Sequence, residues 1–379
     1  MRRTFKYRLY PNTTQTLSLE YQLAEARRLY NGALQERRDA WKMQRATCNY
    51  YGQANQLKEI RAAGHLGLTN YSACQDVLRR VNKTFQAFFR RVKAGQKAGF
   101  PRFKSHRHYH SYTFPSYGDG CKLRDNGRLY VQGVGEVKVK LHRPLEGQVK
   151  TLTLKRQCGK WYVCFSVEAA AQPLPSTGQA VGIDLGLTHF AVLSDGTEIA
   201  NPRHYRKAQA GLRRAQRKVA RRKRGSNRRR KAVRELQGVH THMRNQRSAF
   251  HHRASRQIVN AYDLIAVEDL NIKGLAGGML AKSVHDAGWG EFLAKIDYKA
   301  ESAGRRLVRV NPNGTSQRCT CGAAVPKTLS QRWHQCPECG LSVSRDHASA
   351  LEILRLGLSL REITWPVGAS VSREAVCFS

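Results

Sequence analysis

From residue 180 onward, the chain is predicted to form three short strands, a long basic helical stretch, two further strands and a final helix. The apolar segments AVGIDLG and FAVL, followed by the turn SDGT and the segment EIAN, predict the first three strands as a meander. DLIAVEDL and RRLVRVNP predict the next two strands, and DHASALEILRLG predicts the closing helix. Because helices that alternate with strands must pack against a sheet, this half of the chain is expected to be an α/β domain.

Acidic residues stand at three places in this order. Asp184 ends the first strand, Glu268 ends the fourth, and Asp346 starts the last helix. The order is that of an RNase H-like domain, a mixed sheet flanked by helices, in which these three places can converge. Carboxylates at close range raise each other's pKa and ionise together only when cations are present. Oxygen-only ligands suit Mg²⁺ or Mn²⁺, and two such ions can hydrolyse a phosphodiester. The three acids therefore predict a two-metal nuclease site.

Each acid also has a simpler interpretation. Asp184 could be an ordinary turn residue, and Asp346 could only cap its helix. Glu268 is followed by Asp269, and strand alternation sends the two side chains to opposite faces without indicating which face is active. GIDLG also opens the phosphate loop of actin-like and Hsp70-like ATPases, but no second glycine-rich phosphate loop is evident in the sequence. The joint placement of the three acids favours the metal site.

The charge of the chain predicts a polyanionic partner. It has 66 Lys and Arg against 27 Asp and Glu, a formal net charge of +39, and a compact domain with that excess would repel itself. Residues 203–234 hold 16 Lys or Arg in 32 positions and no acid. We interpret this stretch as part of an arginine-rich helical hairpin over about 203–260 that contacts phosphates. A ribosome-like or histone-like binder would carry similar charge, so charge identifies the partner class and no activity.

Four cysteines late in the chain have the spacing of a metal site. Cys319-Thr-Cys321-Gly and Cys336-Pro-Glu-Cys339-Gly predict a zinc ribbon over about 316–343 that holds one structural Zn²⁺. The first pair is one residue shorter than the usual C-x-x-C, which leaves His334 as an alternative ligand. The N-terminus has no signal-peptide core and no segment is long and apolar enough to span a bilayer. We expect a cytoplasmic, nucleoid-associated protein with no membrane partner.

The N-terminal half is predicted to be a helical region between β segments. FKYRLYP predicts a strand, and residues 13–44 and 70–93 predict two amphipathic helices. The expected buried faces include Trp41 on the first helix and Val92 on the second. The aromatic residues of the second helix are interpreted as core rather than as a base-stacking platform. Residues 111–170 alternate as in a small β-barrel, and 172–179 resembles a linker.

Together these segments resemble TnpB, the RNA-guided nuclease encoded by small bacterial insertion sequences and related to type V CRISPR effectors. The resemblance covers nearly the whole chain. It is carried by RLYPNTTQ, AFFRRVKAGQKAGFPRFKS, VGIDLGLTHFAVLSDG, IAVEDLNIKGL, DAGWGEFLAKIDYKA, TSQRC and CPECG. It implies an α/β multidomain fold: an RNase H-like RuvC nuclease domain (179–379) with an inserted zinc ribbon, a wedge β-barrel (1–12 and 113–178), and a helical recognition lobe (13–112).

The resemblance also implies a function and its residues. The protein would bind an omega-type guide RNA from the element's own end, one protein per RNA, and cut double-stranded DNA beside a short flanking motif. Asp184, Glu268 and Asp346 match the RuvC carboxylates, and Tyr51 and Gln75 fall where the family reads the motif.

The chain departs from the family's third motif, because Ser344 replaces an acid and Ala348 an asparagine. These changes bear on the groups around the metal site rather than on the presence of the three acids. Two other functions stay open: a regulator that binds DNA without cutting it, and a DNA transposase.

Overall fold

The computed structural model describes residues 1–67, 69–328 and 330–364. Residues 365–379, which include the C-terminal tail where sequence patterns carry little signal, lie outside this described part. The chain divides into two compact units, Met1–Ala170 and Ala171–Ser379. No described helix is long and apolar enough to cross a membrane.

The first unit contains seven strands and four helices. Its strands are β1 (Arg2–Tyr10), β2 (Ser111–Phe114), β3 (Cys121–Leu123), β4 (Arg128–Val131), β5 (Gly135–Lys140), β6 (Gln148–Gln157) and β7 (Lys160–Glu168). Its helices are α1 (Thr13–Gln44), α2 (Tyr50–Asn55), α3 (Leu57–Ala62) and α4 (Tyr71–Lys93).

Local sequence signals account for where these elements begin and turn. Helix α1 starts in a capping box, since Asn12 Oδ1 accepts from Gln15 N at 2.8 Å and Gln15 Oε1 accepts from Asn12 N at 3.1 Å. The β6–β7 hairpin turns at Cys158 and Gly159, whose φ values of 51° and 72° suit a two-residue turn of the kind that matches strand twist.

The strands of the first unit form one antiparallel sheet. Its order is β2-β6-β7-β1-β5-β4-β3, so the N-terminal strand lies in the middle of the sheet. Among the described strands no ladder joins β2 to β3, and backbone hydrogen bonds therefore do not close the predicted barrel. The helices share one hydrophobic core with this sheet, in which Leu19 and Leu78 pack with Val163 and Phe165. The predicted wedge and recognition lobe thus belong to one compact unit.

Two predicted core positions are wrong. Trp41 is 52% exposed and Val92 is 52% exposed. Each lies in the last turns of its helix, α1 or α4. The apolar periodicity continues to these helix ends, but the end of α1 and the end of α4 extend past the part of the core that could cover them.

The second unit contains the other predicted elements. Its strands are β8 (Ala180–Asp184), β9 (His189–Leu193), β10 (Glu198–Ala200), β11 (Leu264–Glu268), β12 (Arg306–Val310), β13 (Trp333–Gln335) and β14 (Ser342–Ser344). Its helices are α5 (His204–Ala220), α6 (Asn227–Ala261), α7 (Ile272–Leu275), α8 (Ala281–Ala287), α9 (Trp289–Ala303) and α10 (Arg345–Thr364), with a short 3₁₀ helix at Thr315–Gln317.

The main sheet of this unit has the order β10-β9-β8-β11-β12. Strands β8, β11 and β12 are parallel, whereas β8, β9 and β10 form the antiparallel meander. Ile258 of α6 and Phe292 of α9 pack in one core cluster with Val181 and Ile265, while Ile353 of α10 packs in another cluster with Ala266. Helices therefore cover both faces of a mixed sheet, as the order of elements predicts.

The segment 171–179 is part of the second unit rather than a free linker. Gln172 N donates to Ser302 O at 2.9 Å, and the Thr177 and Gly178 amides donate to the Asp263 carboxylate. Burial alone would raise the pKa of Asp263, but hydrogen bonds from Ser176, Thr177 and Gly178 and the charge of Arg305 outweigh it and lower the pKa to about 2. The unit boundary consequently falls at 170/171, before the predicted boundary at 178/179.

Candidate active site and metal centre

Asp184 and Glu268 lie at the same edge of the second sheet. Strands β8 and β11 are parallel neighbours, and Ile183 pairs with Val267 in their ladder. Asp184 and Glu268 are the next residue of each strand, so both carboxylates emerge at the carboxyl ends of adjacent strands. Asp269 follows Glu268 but is exposed, and its backbone amide donates to Val310 O at 2.9 Å. The structure therefore distinguishes the two acids that the sequence left ambiguous.

Helix α10 brings Asp346 to this edge. The helix crosses β8 and β11 closely. A Cβ atom on Gly182 of β8 would lie 2.1 Å from Ala350 O, and one on Gly357 of the helix would lie 2.4 Å from Ala266 Cβ of β11. Only glycine at these two positions permits such an approach. Asp346 stands in the first turn of α10, and a Cβ on Gly186, in the loop after β8, would lie 4.0 Å from its Oδ2.

The electrostatics of Asp184 reflect this convergence. Burial, followed by the charges of Glu268 and Asp346, raises the pKa of Asp184 to about 8, and nearby Arg345 opposes the rise. Burial also raises the pKa of Glu268, against a hydrogen bond from Thr315. A group of half-buried acids that repel one another is the arrangement that bound cations would relieve.

The carboxylates are more widely spaced than the cysteines. Within the described ranges, the only group of three or more His, Cys, Asp or Glu side chains whose ligand atoms all lie within 4.8 Å of one another is the cysteine group. The two ions of such hydrolytic sites lie roughly 3.5–4 Å apart, so their ligands need not crowd into one coordination sphere.

Two residues next to the acids were missed as site residues by the sequence reasoning. Thr315 is buried and its Oγ1 donates to Glu268 Oε1. Arg345 precedes Asp346, and its Nη1 donates to Thr328 O at 2.9 Å. Thr315 lies in TSQRC and Arg345 lies in the third motif, and both segments resemble the family. No local sequence pattern, however, predicts which side chains these two residues contact.

The two departures in the third motif have visible places. The Ser344 Oγ accepts from His347 N at 3.3 Å, so this hydroxyl takes up a free amide at the start of α10. Ala348 is buried, with 2% exposure. The helix start therefore keeps an oxygen acceptor although an acid has been replaced.

The four cysteines converge as predicted. Cys319 Sγ lies 3.6 Å from Cys339 Sγ, and Cys321 Sγ lies 3.7 Å from Cys336 Sγ. Sulfurs bound tetrahedrally at about 2.3 Å from zinc are separated by about 3.8 Å, so the four thiols could hold this ion.

His334 does not belong to the cysteine group. Its ring is fully buried in strand β13, and its Nδ1 accepts from Lys327 Nζ. Cys319 and Cys321 are separated by one residue fewer than in C-x-x-C, yet both thiols lie in the group. The group therefore contains four thiols and needs no ligand from another residue.

The predicted motif-reading residues lie on neighbouring helices of the first unit. Tyr51 is on α2 and is 74% exposed, with its ring 5.3 Å from the ring of Tyr50. Gln75 is half-buried near the start of α4, and α2 packs against α4. Their role stays a prediction.

Family models match three parts of the chain. One described as a probable transposase matches residues 162–278, one described as a Cas12f1-like TNB domain matches 289–353, and one described as a helix-turn-helix domain matches 1–46. In the structure, residues 1–46 contain β1 and the single long helix α1 rather than a pair of short helices.

Two relatives, both named "putative RNA-guided DNA endonuclease", align over nearly the whole chain. The relative from Streptomyces pristinaespiralis is 34% identical over 370 residues, which cover 95% of this chain and 90% of that protein. InsQ from Escherichia coli K12 is 29% identical over 376 residues, which cover 93% and 92% of the two chains. The chain belongs to the TnpB family of RNA-guided DNA endonucleases.

A solved structure of the mini-RNA-guided endonuclease CRISPR-Cas phi3 also aligns with this chain. It is 9% identical, covers 94% of this chain and 92% of its own, and has a TM-score of 0.47.

Proposed function

We propose that this chain is an RNA-guided endonuclease that cleaves double-stranded DNA beside a short flanking motif, with Asp184, Glu268 and Asp346 as its catalytic carboxylates. The observation that carries the proposal is their placement: two adjacent parallel strands and a helix packed through Gly182 bring three half-buried acids to one edge of the sheet. Membership of the TnpB family supports the substrate and the guide.

The donor set suits Mg²⁺ or Mn²⁺, since all three groups offer oxygen. Two such ions, when bound, would supply Lewis acidity at the scissile phosphodiester. The protein's own residues hold the geometry. Thr315 orients the Glu268 carboxylate, and Arg345 keeps positive charge near Asp184. Because burial, followed by repulsion from Glu268 and Asp346, raises the pKa of Asp184, cation binding would be accompanied by release of its proton.

The cysteine group would hold one structural Zn²⁺ and fasten the ribbon, without a part in the chemistry. The partners would be an omega-type guide RNA, bound one protein per RNA, and target DNA in the nucleoid. The net charge of +39 supports polyanionic partners. Tyr51, exposed on α2, and Gln75 on α4 would read the flanking motif.

The test replaces each proposed ligand with its amide: Asp184→Asn, Glu268→Gln and Asp346→Asn. Protein co-expressed with the element's flanking DNA is purified with its RNA, and cleavage of a matching target is measured in Mg²⁺. We expect each variant to lose cleavage by at least about a thousandfold while it still binds target DNA. The reason is that an amide binds the cations poorly, and hydrolysis of the phosphodiester depends on those cations. Asp269→Asn, an exposed neighbour, is the matched control and should cut normally.

Full cleavage by any of the three variants would overturn the assignment of that residue. A wild-type complex that binds its target with a discrete RNA and never cuts would favour a DNA-binding regulator. Strand-transfer products in place of hydrolysed ends would favour a transposase.

A further inference from the structure

Exposed phenylalanines form a surface patch in the first unit, at the end of α4 and in the segment that follows. Phe89 is 60% exposed, Phe100 49% and Phe103 45%, and Phe88 is half-buried beside them. We call these four residues the aromatic patch. Single exposed apolar residues are ordinary, but several large rings together on a surface mark a binding site.

Three rings of the patch, those of Phe88, Phe89 and Phe100, are held in place by contacts with one another and with Phe85. Phe88 lies 5.3 Å from Phe89 and 5.5 Å from Phe100, both edge to face. Phe85, which packs against the core of the unit, lies beneath at 6.2 Å from Phe89 and 5.8 Å from Phe100. Rings fixed in this way lose little entropy when a ligand stacks on them.

The segment that carries Phe100 and Phe103 is anchored to α1. Asn31 Nδ2 donates to Lys104 O at 3.0 Å, and Lys104 N donates to Asn31 Oδ1 at 2.8 Å. A cavity of about 390 Å³ opens between this segment and the helix, within the range of small ligand sites. It is lined by Leu34, Arg38, Phe100, Pro101, Arg102 and Phe103. Two arginines thus line a cavity whose other lining residues are apolar.

The charge of the segment that carries the four phenylalanines indicates what would occupy the patch. Residues 77–118 hold ten Lys or Arg and no Asp or Glu. A protein partner with an ordinary mixed surface gains little from such a field, whereas a nucleic acid supplies phosphates for the cations. Aromatic rings add a contact with the bases, because a base can stack on the face of a ring. Only an unpaired base has its face free for such stacking.

We propose that the aromatic patch binds an unpaired segment of nucleic acid, with bases stacked on Phe89 and Phe103 and phosphates held by Arg38 and Arg102. This site lies in a different unit from the proposed nuclease centre, and its function does not require cleavage. It also revises the interpretation of the aromatic residues of α4: Phe85 is core, but the rings toward the helix end form a surface.

The test measures binding of labelled single strands to the full-length chain without divalent metal. The probes are a thymidine homopolymer, a uridine homopolymer and an abasic strand of equal length, in enough salt to weaken the phosphate contribution. Phe89→Leu keeps apolar area but removes the ring, and Phe89→Tyr keeps the ring. Tyr21→Ala removes an exposed aromatic residue from α1 away from the patch and is the control. Thermal unfolding checks that all variants are folded.

We expect Phe89→Leu to weaken binding of a base-bearing strand by about 5-fold or more, since stacking contributes about 1–3 kcal/mol per base. Binding of the abasic strand should not change, and Phe89→Tyr and Tyr21→Ala should bind like the wild type. The strand that shows the larger loss, DNA or RNA, identifies the source of the unpaired segment.

Two results would overturn the proposal. One is an equal loss for base-bearing and abasic strands, which would mean that only phosphates are bound. The other is unchanged binding of every strand, including the case in which Phe89→Leu alters only self-association in sedimentation. Because this test measures binding and not cleavage, a negative result would leave the assignment of the nuclease residues unchanged. Likewise, loss of that assignment would not bear on the aromatic patch.

Discussion

At the residue scale, the contact between Thr315 and Glu268 joins two parts of the chain that sequence patterns treat separately. Thr315 stands between β12 and the zinc ribbon, and its hydroxyl donates to a carboxylate that ends β11. The same Oγ1 also lies 3.1 Å from Pro312 O, a second acceptor for its single hydrogen. A half-buried carboxylate oriented in this way would enter metal coordination with little rearrangement.

Thr315→Val should slow cleavage by about 10- to 100-fold, the usual effect of removing a hydrogen bond to a metal ligand. Valine keeps the shape of threonine, so the cleavage rate would not change if Thr315 only filled space. The Mg²⁺ concentration required for half-maximal single-turnover cleavage should rise, and Thr315→Ser, which keeps the hydroxyl, should restore it. An unaltered Mg²⁺ requirement in the valine variant would exclude this positioning role.

At the scale of elements, the zinc ribbon is continuous with the helix that carries Asp346. Strand β14 ends at Ser344 and α10 begins at Arg345. Arg345 is bonded to the ribbon twice, through its backbone amide to Arg332 O and its side chain to Thr328 O, both at 2.9 Å. The ribbon is therefore in a position to fix where the first turn of α10 lies.

Replacing Cys321 and Cys339 together with serine should remove the zinc of the chain and loosen the ribbon. Because Asp346 follows the ribbon directly, cleavage should fall by at least about tenfold while guide RNA still binds through the rest of the chain. Metal analysis, cleavage rate and RNA affinity are measured together. Cys48→Ser, far from the ribbon in sequence and near Glu36, is the control. Normal cleavage without zinc would show that the ribbon does not position Asp346.

At the scale of the whole molecule, part of the excess positive charge is concentrated on the hairpin of α5 and α6. The arginine-rich hairpin formed by α5 and α6 contains one end that is almost entirely cationic, with Arg221, Arg222, Lys223 and Arg224 all exposed. The turn is ordered by Ser226, which caps α6, and by Arg229 Nη1, which donates to Val219 O at 2.8 Å. A fixed, exposed group of cations is suited to phosphate contact.

Changing these four exposed residues to glutamine should reduce the salt dependence of nucleic-acid binding by up to about three units of log–log slope, since each phosphate contact contributes roughly 0.7–0.9. The matched control converts the three arginines to lysine, which keeps the charge and should keep the slope. Affinity is measured across a salt series for both variants. An unchanged slope after neutralisation would mean that the end of the hairpin faces solvent in the complex.

Much of this protein follows from its sequence alone, because the relevant signals are local. Helical period, the Asn12 and Gln15 cap and the turn at Gly159 depend on neighbours a few residues apart, and they locate the elements. The order of those elements after residue 180 predicts the mixed sheet, and the spacing of the four cysteines predicts a metal site. The positions of Asp184, Glu268 and Asp346 in that order identify them as candidate site residues.

Only the tertiary structure decided which groups meet across long separations in the chain. Thr315 contacts Glu268 from 47 positions away, and Asp263 binds amides 85 or more residues earlier, which moves the unit boundary to 170/171. The exposure of Val92 and Phe89 likewise depends on what the rest of the unit covers. Periodicity describes one element at a time, whereas burial and hydrogen bonding between elements depend on how close their packing brings them.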